Sequence, residues 1–178
     1  DPKEAEEFLG YVIESSNRME GFISRILNVS AINSREINLN YSEVEIVNLL
    51  NEEVKAFEAM AKEKDINYSF QSDEAQLPTA IDPGYFNQII SNLITNSIKY
   101  TQPGGQIQVR LELIAGGDYY RISVEDNGQG ISTRDQKLLF SKFQTLSAKP
   151  TGGEESTGLG LAIVKKYVEA MDGRIWCK

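Results

Sequence analysis

Between Asp82 and Asp126 the chain changes its hydrophobic period once, and that change limits what it can become. Asp82-Pro83 opens a helix with proline in its first turn, and the helical spacing ends near Thr101, before "QPGGQ". The two runs that follow, "QIQVRLELI" and "YYRISVED", alternate apolar and polar residues on either side of the turn "AGGD". That is the pattern of a β-hairpin with one apolar face. A helix with an apolar back and a hairpin with an apolar face bury both surfaces by packing against each other. The chain is therefore expected to be layered α+β.

The flanking segments extend the same scheme. "EINLNYSEV" reads as a short strand alternating Ile37, Leu39 and Tyr41, followed by a helix from Val44 to Lys64. Ser42 with Glu45 three residues on makes a capping box for that helix. "INYSF" and "PTAI" read as strands. After the hairpin come a short helix over Thr133 to Phe143, a polar stretch from Gln144 to Thr157, a helix in "GLGLAIVKKYVEAM" and a strand in "GRIWC". From these six candidate strands and the helices between them, the expected architecture is a two-layer sandwich of a mixed five-stranded sheet and three main helices.

One long coiled-coil-like helix precedes the sandwich, from Asp1 to about Asn33. Phe8, Val12, Ser15, Met19, Phe22, Ile26, Val29 and Asn33 alternate steps of four and three, and Ile23 and Leu27 widen the seam. Such a stripe is too long and apolar to lie bare in water. Packing on its own domain would cover it; a helix bundle or dimer interface is the favoured reading.

Composition removes whole classes of chemistry. There is no histidine, which excludes histidine triads, a histidine base and most zinc sites within this chain. The single cysteine, Cys177, excludes an internal disulfide and fits a reducing, cytoplasmic compartment. A net charge of −8 argues against nucleic acid or an anionic membrane as partner. No apolar run reaches membrane-span length, and no signal peptide is visible. Any chemistry falls to carboxylates, amides, lysines and backbone.

The helix "FNQIISNLITNSIKYT" holds the most informative geometry. With Asn92 at zero and about 100° per residue, Asn96 lands near +40° and Lys99 near −20°. Phe86, Ile90, Leu93, Ile94, Ser97 and Ile98 fall on the opposite side. Two amides and an ammonium thus project together from a helix whose back is buried. A plain solvent face would sooner use Glu, Lys or Gln, because Asn is a mediocre helix former. An amide oxygen can ligate Mg²⁺, and a lysine one turn away can neutralise phosphate.

"VEDNGQG" ends the second hairpin arm on a carboxylate and two glycines. Asp126-Asn127-Gly128 suits a tight turn. It equally suits a flat ligand lying on bare backbone while the carboxylate reads its edge. In "STGLGLAIVKKY", Gly158 and Gly160 stand at the start of a helix, where exposed backbone N–H groups suit a phosphate and where a close-packed cap would also explain them. The polar stretch 144–157 has the length of a lid over a ligand. Lys142 and Lys149 in and beside it are surface lysines or phosphate contacts.

In order, "NLITNSIKYT", "EDNGQGI", "LFSKF" and "STGLGLAIVKKYVEAMDG" resemble the N box, first glycine box, phenylalanine box and second glycine box of sensor histidine kinase catalytic domains. These domains belong to the Bergerat-fold superfamily, shared with gyrase and heat-shock chaperone ATPases. The resemblance covers about Glu36 to Lys178. Upstream, "SSNRMEGFISRILNVSAI" resembles the second helix of the kinases' dimerisation and phosphotransfer bundle. The implied domains are a partial bundle helix over 1–35 and an ATP-binding catalytic domain over 36–178, its last strand missing.

The resemblance implies ATP and Mg²⁺ as cofactors and assigns residues to them. Asp126 would accept from the adenine exocyclic amine, with Gly128 and Gly130 admitting the base and Ile131 and Tyr100 lining its pocket. Asn96 would bind Mg²⁺ with Asn92 beside it, and Lys99 would face phosphate. Thr157, Gly158, Leu159 and Gly160 would shape the lid's end and the helix start that receives the phosphates. Phe140 and Phe143 would anchor the lid base. The superfamily's ATPases carry a water-activating glutamate one turn before the metal-binding asparagine. Asn92 stands there, and an amide is no base at neutral pH, so transfer to a nucleophile is favoured over hydrolysis.

The implied function is an ATP-dependent protein-histidine kinase of a two-component system, phosphorylating a histidine not present in this chain. Implied partners are the histidine-bearing bundle helix, a response-regulator receiver domain and, through the N-terminal helix, a second copy of a longer parent that is itself anchored in a membrane or free. Two other readings stand beside it: a nucleotide-sensing interaction module without transfer activity, and a serine/threonine kinase of the anti-sigma-factor type.

Overall fold

The structure, a computed structural model, describes residues 8–12, 15, 16, 19, 37–114, 116, 117, 119–142, 144, 146–152 and 158–178. The chain divides into two units, 1–36 and 37–178. In the first, residues 8–12, 15, 16 and 19 are helical, and the seam residues Phe8, Val12 and Met19 are exposed. The expected seam from Phe22 to Asn33 lies outside the described residues.

The second unit runs β1 (Ser42–Glu45), α1 (Ile46–Ala56), α2 (Glu58–Glu63), β2 (Asn67–Ser72), β3 (Pro78–Ile81), α3 (Pro83–Tyr100), β4 (Gln106–Leu113), β5 (Tyr120–Asp126), α4 (Thr133–Gln136) and α5 (Gly160–Ala170). It is α+β, as the change of period implies. The five strands form two sheets: β1 pairs antiparallel with β3, while β2, β4 and β5 lie in that order. β2–β4 is parallel, with Asn67 opposite Gln106, and β4–β5 is the expected antiparallel hairpin, with Ile107 opposite Asp126.

Alternation along β4 buries Ile107, Val109 and Leu111 completely. Against the core they help to form lie Ile46, Leu50 and Val54 of α1, the apolar back of α3, and Ile163, Val164 and Tyr167 of α5. Tyr85 and Tyr167 stack tilted at a ring separation of 4.6 Å, tying α3 to α5. On α3 the buried set is Phe86, Ile89, Ile90, Ile94, Ser97 and Ile98, so Ile89 joins the predicted face and Leu93 is only half-buried.

Four local expectations are corrected. The strand expected over Ile37 to Tyr41 forms later, as β1, because its partner β3 pairs with residues 42–45. The capping box therefore fails: Ser42 is in the strand, and Glu45 itself caps α1, its carboxylate accepting from the N–H groups of Val47 and Leu77. "GRIWC" has strand composition but no partner among the described strands, and it remains irregular. The short helix near 133 closes as α-helix at Gln136 and continues as turns. Among the described residues no helix is long and apolar enough to cross a membrane.

Candidate functional site

α3 is the element on which the predicted residues converge, and its start is fixed firmly. Asp82 caps it through Tyr85 N–H at 3.0 Å, while its other oxygen accepts from Asn40 N–H at 2.7 Å. Burial opposes the charge of Asp82, yet the N–H groups of Asn40, Tyr85 and Gly84 outweigh it and hold the carboxyl below its ordinary range. At the other end, the Lys64 ammonium donates to the carbonyls of Ile98 and Lys99 at 2.7 and 3.2 Å. A cation on C-terminal carbonyls is favoured by both hydrogen bonding and the helix dipole.

Three contacts place the predicted groups around this helix. Asn92 donates its Nδ2 to the Gln88 carbonyl at 2.7 Å, which turns Oδ1 toward the start of α5. There a Cβ on Gly160 would meet that oxygen at 2.9 Å, so a larger residue would push the Asn92 side chain from this position. Ser97 donates its hydroxyl to Asp126 at 3.2 Å, joining α3 to the end of β5. A Cβ on Gly128 would lie 2.6 Å from the Tyr100 carbonyl, so the loop after Asp126 rests directly on the last turn of α3.

Asp126 is exposed, and each carboxylate oxygen has one internal donor: Ser97 on one, Gly128 N–H at 3.0 Å on the other. The second bond is the turn suggested by Asp-Asn-Gly, so turn and pocket readings are compatible rather than opposed. An ionised carboxylate has about four acceptor positions, so roughly two remain available. Asn127 instead serves the fold: its Oδ1 accepts from Gln106 N–H at 2.7 Å and closes the end of the hairpin. Gly130 adopts φ +71°, a turn that carries the chain to half-buried Ile131.

Asn96 and Lys99 are half-buried, and neither side chain forms a hydrogen bond or ion pair with another described residue. Among the described residues Lys99 is thus a cation without a carboxylate beside it, in an acidic protein. α5 begins after Leu159, whose buried apolar side chain supplies no cap, whereas α1, α3 and α4 all have side-chain caps. Gly158 precedes it at φ +65°, where a Cβ would meet the Gln144 carbonyl at 2.6 Å. Phe140 is half-buried; Thr157 and Phe143 lie outside the described residues. A separate hollow between α2 and β2, bordered by Glu58, Lys62 and Tyr68, includes none of these groups.

Sequence reasoning missed Ser97, assigning it to the buried back of α3. A hydroxyl at a buried helix position is itself a signal, because such a group needs a partner. Asp135, also buried, was missed as well. Its carboxylate accepts from the hydroxyl of Ser147 and from Ser147 N–H at 3.0 Å, and these bonds hold it below the ordinary range of a carboxylate.

The sequence model of the family described as histidine kinase-, DNA gyrase B-, and HSP90-like ATPase matches residues 81–178, the stretch from the end of β3 through α5. The chain belongs to this family. Among other members, sensor histidine kinase WalK of Bacillus subtilis is 30% identical over 172 residues, covering 97% of this chain and 28% of WalK. The catalytic domain of histidine kinase ThkA superposes with a TM-score of 0.67 at 28% identity, covering 77% of this chain and 87% of that one. ThkA in complex with response regulator protein TrrA gives 0.71 at 26% identity, covering 99% of this chain and 48% of that one. The resemblance to sensor histidine kinase catalytic domains, drawn from four ordered motifs, is borne out for the domain. The chain spans 11%, 28% and 30% of the first three curated relatives.

Proposed function

We propose that residues 37–178 are the ATP-binding catalytic part of a two-component protein-histidine kinase, transferring the ATP γ-phosphate to a histidine that this sequence does not contain. The observation that carries the reading is Asp126: an exposed carboxylate with acceptor capacity to spare, bonded to the helix that bears Asn96 and Lys99. In this reading Asp126 accepts from the adenine amine. Gly128 and Gly130 keep side chains away from the base, and Ile131 and Tyr100 line its pocket. Lys99 faces the phosphates, with Gly158, Leu159 and Gly160 presenting the start of α5 and Thr157 at the lid's end.

Among the described residues no group of three or more His, Cys, Asp or Glu side chains is placed to hold a metal ion. That suits Mg²⁺, which usually takes one or two protein ligands and fills its shell with phosphate oxygens and water. The Asn96 amide, without a partner among the described residues, and the Asn92 oxygen turned toward Gly160 are the groups that would hold it. When bound, the ion would neutralise phosphate charge. The chain's own part is to hold the triphosphate in line with an incoming imidazole and to stabilise, through Lys99, the charge that spreads over the transferred group. With an amide at position 92, the base that would activate water is missing from that position, and transfer is favoured over hydrolysis.

The same reading proposes three partners: the histidine-bearing bundle helix, a response-regulator receiver domain, and a second copy through the N-terminal helix. Exposure of Phe8, Val12 and Met19 supports the last. A cytoplasmic location follows from ATP as substrate.

Incubation with γ-labelled ATP and Mg²⁺, with and without a supplied histidine helix, tests the proposal. Acid-labile label on the histidine only when that helix is added is the expected result. Nucleotide binding without transfer would instead identify a sensing module, and steady phosphate release without protein label would overturn the reading of Asn92.

A further inference from the structure

The polar stretch after α4 is not a free loop over its described part. Three alternate residues, Ser147, Lys149 and Thr151, are each tied to a different element. Ser147 donates its N–H and hydroxyl to Asp135 of α4. The Lys149 carbonyl accepts from the side-chain amide of Gln129, which lies between Gly128 and Gly130. Thr151 donates its N–H to the Lys99 carbonyl at 2.9 Å, and its hydroxyl to the carbonyls of Lys99 and Thr101, both at 3.0 Å. The spacing is that of an extended segment laid across the loop 127–131, from α4 to the end of α3.

Each anchor sits on or beside a group assigned to the nucleotide. Gln129 separates the two glycines of the adenine loop, and Asp135 follows Ile131 by four residues. Lys99 is the phosphate-facing lysine, whose carbonyl also receives the Lys64 ammonium. Donors from α2's end and from the strap therefore meet on one carbonyl, in the turn of α3 that precedes Tyr100. Carbonyls at a helix end have no intrahelical donor, so Thr151 satisfies the Thr101 carbonyl and adds to Lys64 on that of Lys99.

We infer that residues 147–151 form a docked strap, and that Asp135 and Thr151 are positioning residues which hold the adenine loop and the last turn of α3 in binding geometry. This rests on the ATP-binding reading above. Neither residue touches nucleotide; each acts through a neighbour that does.

The test uses the full chain, with Mg²⁺-ATP as probe in calorimetric titration. Thr151→Val removes the hydroxyl while keeping shape and N–H; Asp135→Asn weakens the other anchor. Each should raise the ATP dissociation constant by about 5- to 10-fold, the scale of one hydrogen bond, with circular dichroism unchanged. Thr151→Ser should restore wild-type affinity, a rescue that loss of mere packing would not give. Without nucleotide, the amide hydrogens of Ser147 and Thr151 should exchange more slowly than those of exposed loop residues. Wild-type affinity in both Thr151→Val and Asp135→Asn overturns the inference, as does a Thr151→Ser variant no better than the valine. If the wild-type chain binds no ATP, the functional reading fails and this inference with it. Amide exchange then reports separately whether the strap is docked.

Discussion

The two aspartates at opposite ends of α3, Asp82 and Asp126, have the same chemistry and different uses. Asp82 is 6% exposed, and the N–H groups of Asn40, Tyr85 and Gly84 converge on its carboxylate inside the fold. Asp126 is exposed and has one donor on each oxygen. A carboxylate buried among backbone donors holds the fold; one left exposed beside bare backbone is available to a ligand. The distinction lies in burial, not in the residue type.

The comparison is broken most readily at Asp126. Asp126→Asn should weaken ATP binding by about 10- to 100-fold, the scale of a hydrogen bond to a charged acceptor, while the melting transition stays near wild type. Calorimetric titration with ATP and GTP checks this, and undiminished ATP affinity would remove Asp126 from the pocket. At the other end the pattern should invert. Asp82→Ala should cost about 1–2 kcal/mol of stability in urea unfolding, the usual range for a lost N-cap, with ATP affinity of the folded fraction kept.

A pH series sharpens the same contrast. The Asp82 carboxyl is held below its ordinary value of 3.8, so it contributes stability above that pH and loses it as pH falls through the lower, folded value. Wild-type stability should therefore decline on acidification, and Asp82→Asn should flatten that decline. Asp135, depressed in the same direction by Ser147, adds to the slope with the same sign. The smallest effect is expected for Ser97→Ala, about 1 kcal/mol at most, with a two- to fivefold loss of ATP affinity as Asp126 is freed to turn. A larger loss of affinity than in Asp126→Asn would show that the carboxylate works mainly through the helix.

What could be read from the chain follows from the range of the forces involved. The hairpin was legible because alternation along Ile107, Val109 and Leu111 needs only one buried face. The stripe of Asn92, Asn96 and Lys99 was legible because helical geometry projects residues from their spacing alone. Ser97 was not, since a lone serine among isoleucines reads as a small packing residue until β5 arrives beside it. Nor was the strap: Asp135 and Ser147 are joined across a stretch with no hydrophobic period to reveal the pairing. Glu45 misled in another way. A Ser-x-x-Glu pattern promises a cap wherever it occurs, but β3 drew Ser42 into a strand and left the glutamate to cap alone.

The parallel register of β2 with β4 has a consequence for how this molecule opens. β3 and α3 lie in the connection between those two strands, so the pairing closes a loop of chain of which the helix bearing Asn92, Asn96 and Lys99 is itself a part. Only the turn 101–105 separates that helix from β4, so a large displacement of it strains the first rung of the ladder, Asn67 opposite Gln106. Small openings are thus expected first in segments outside this loop, and α3 should be lost late, together with the three-stranded layer.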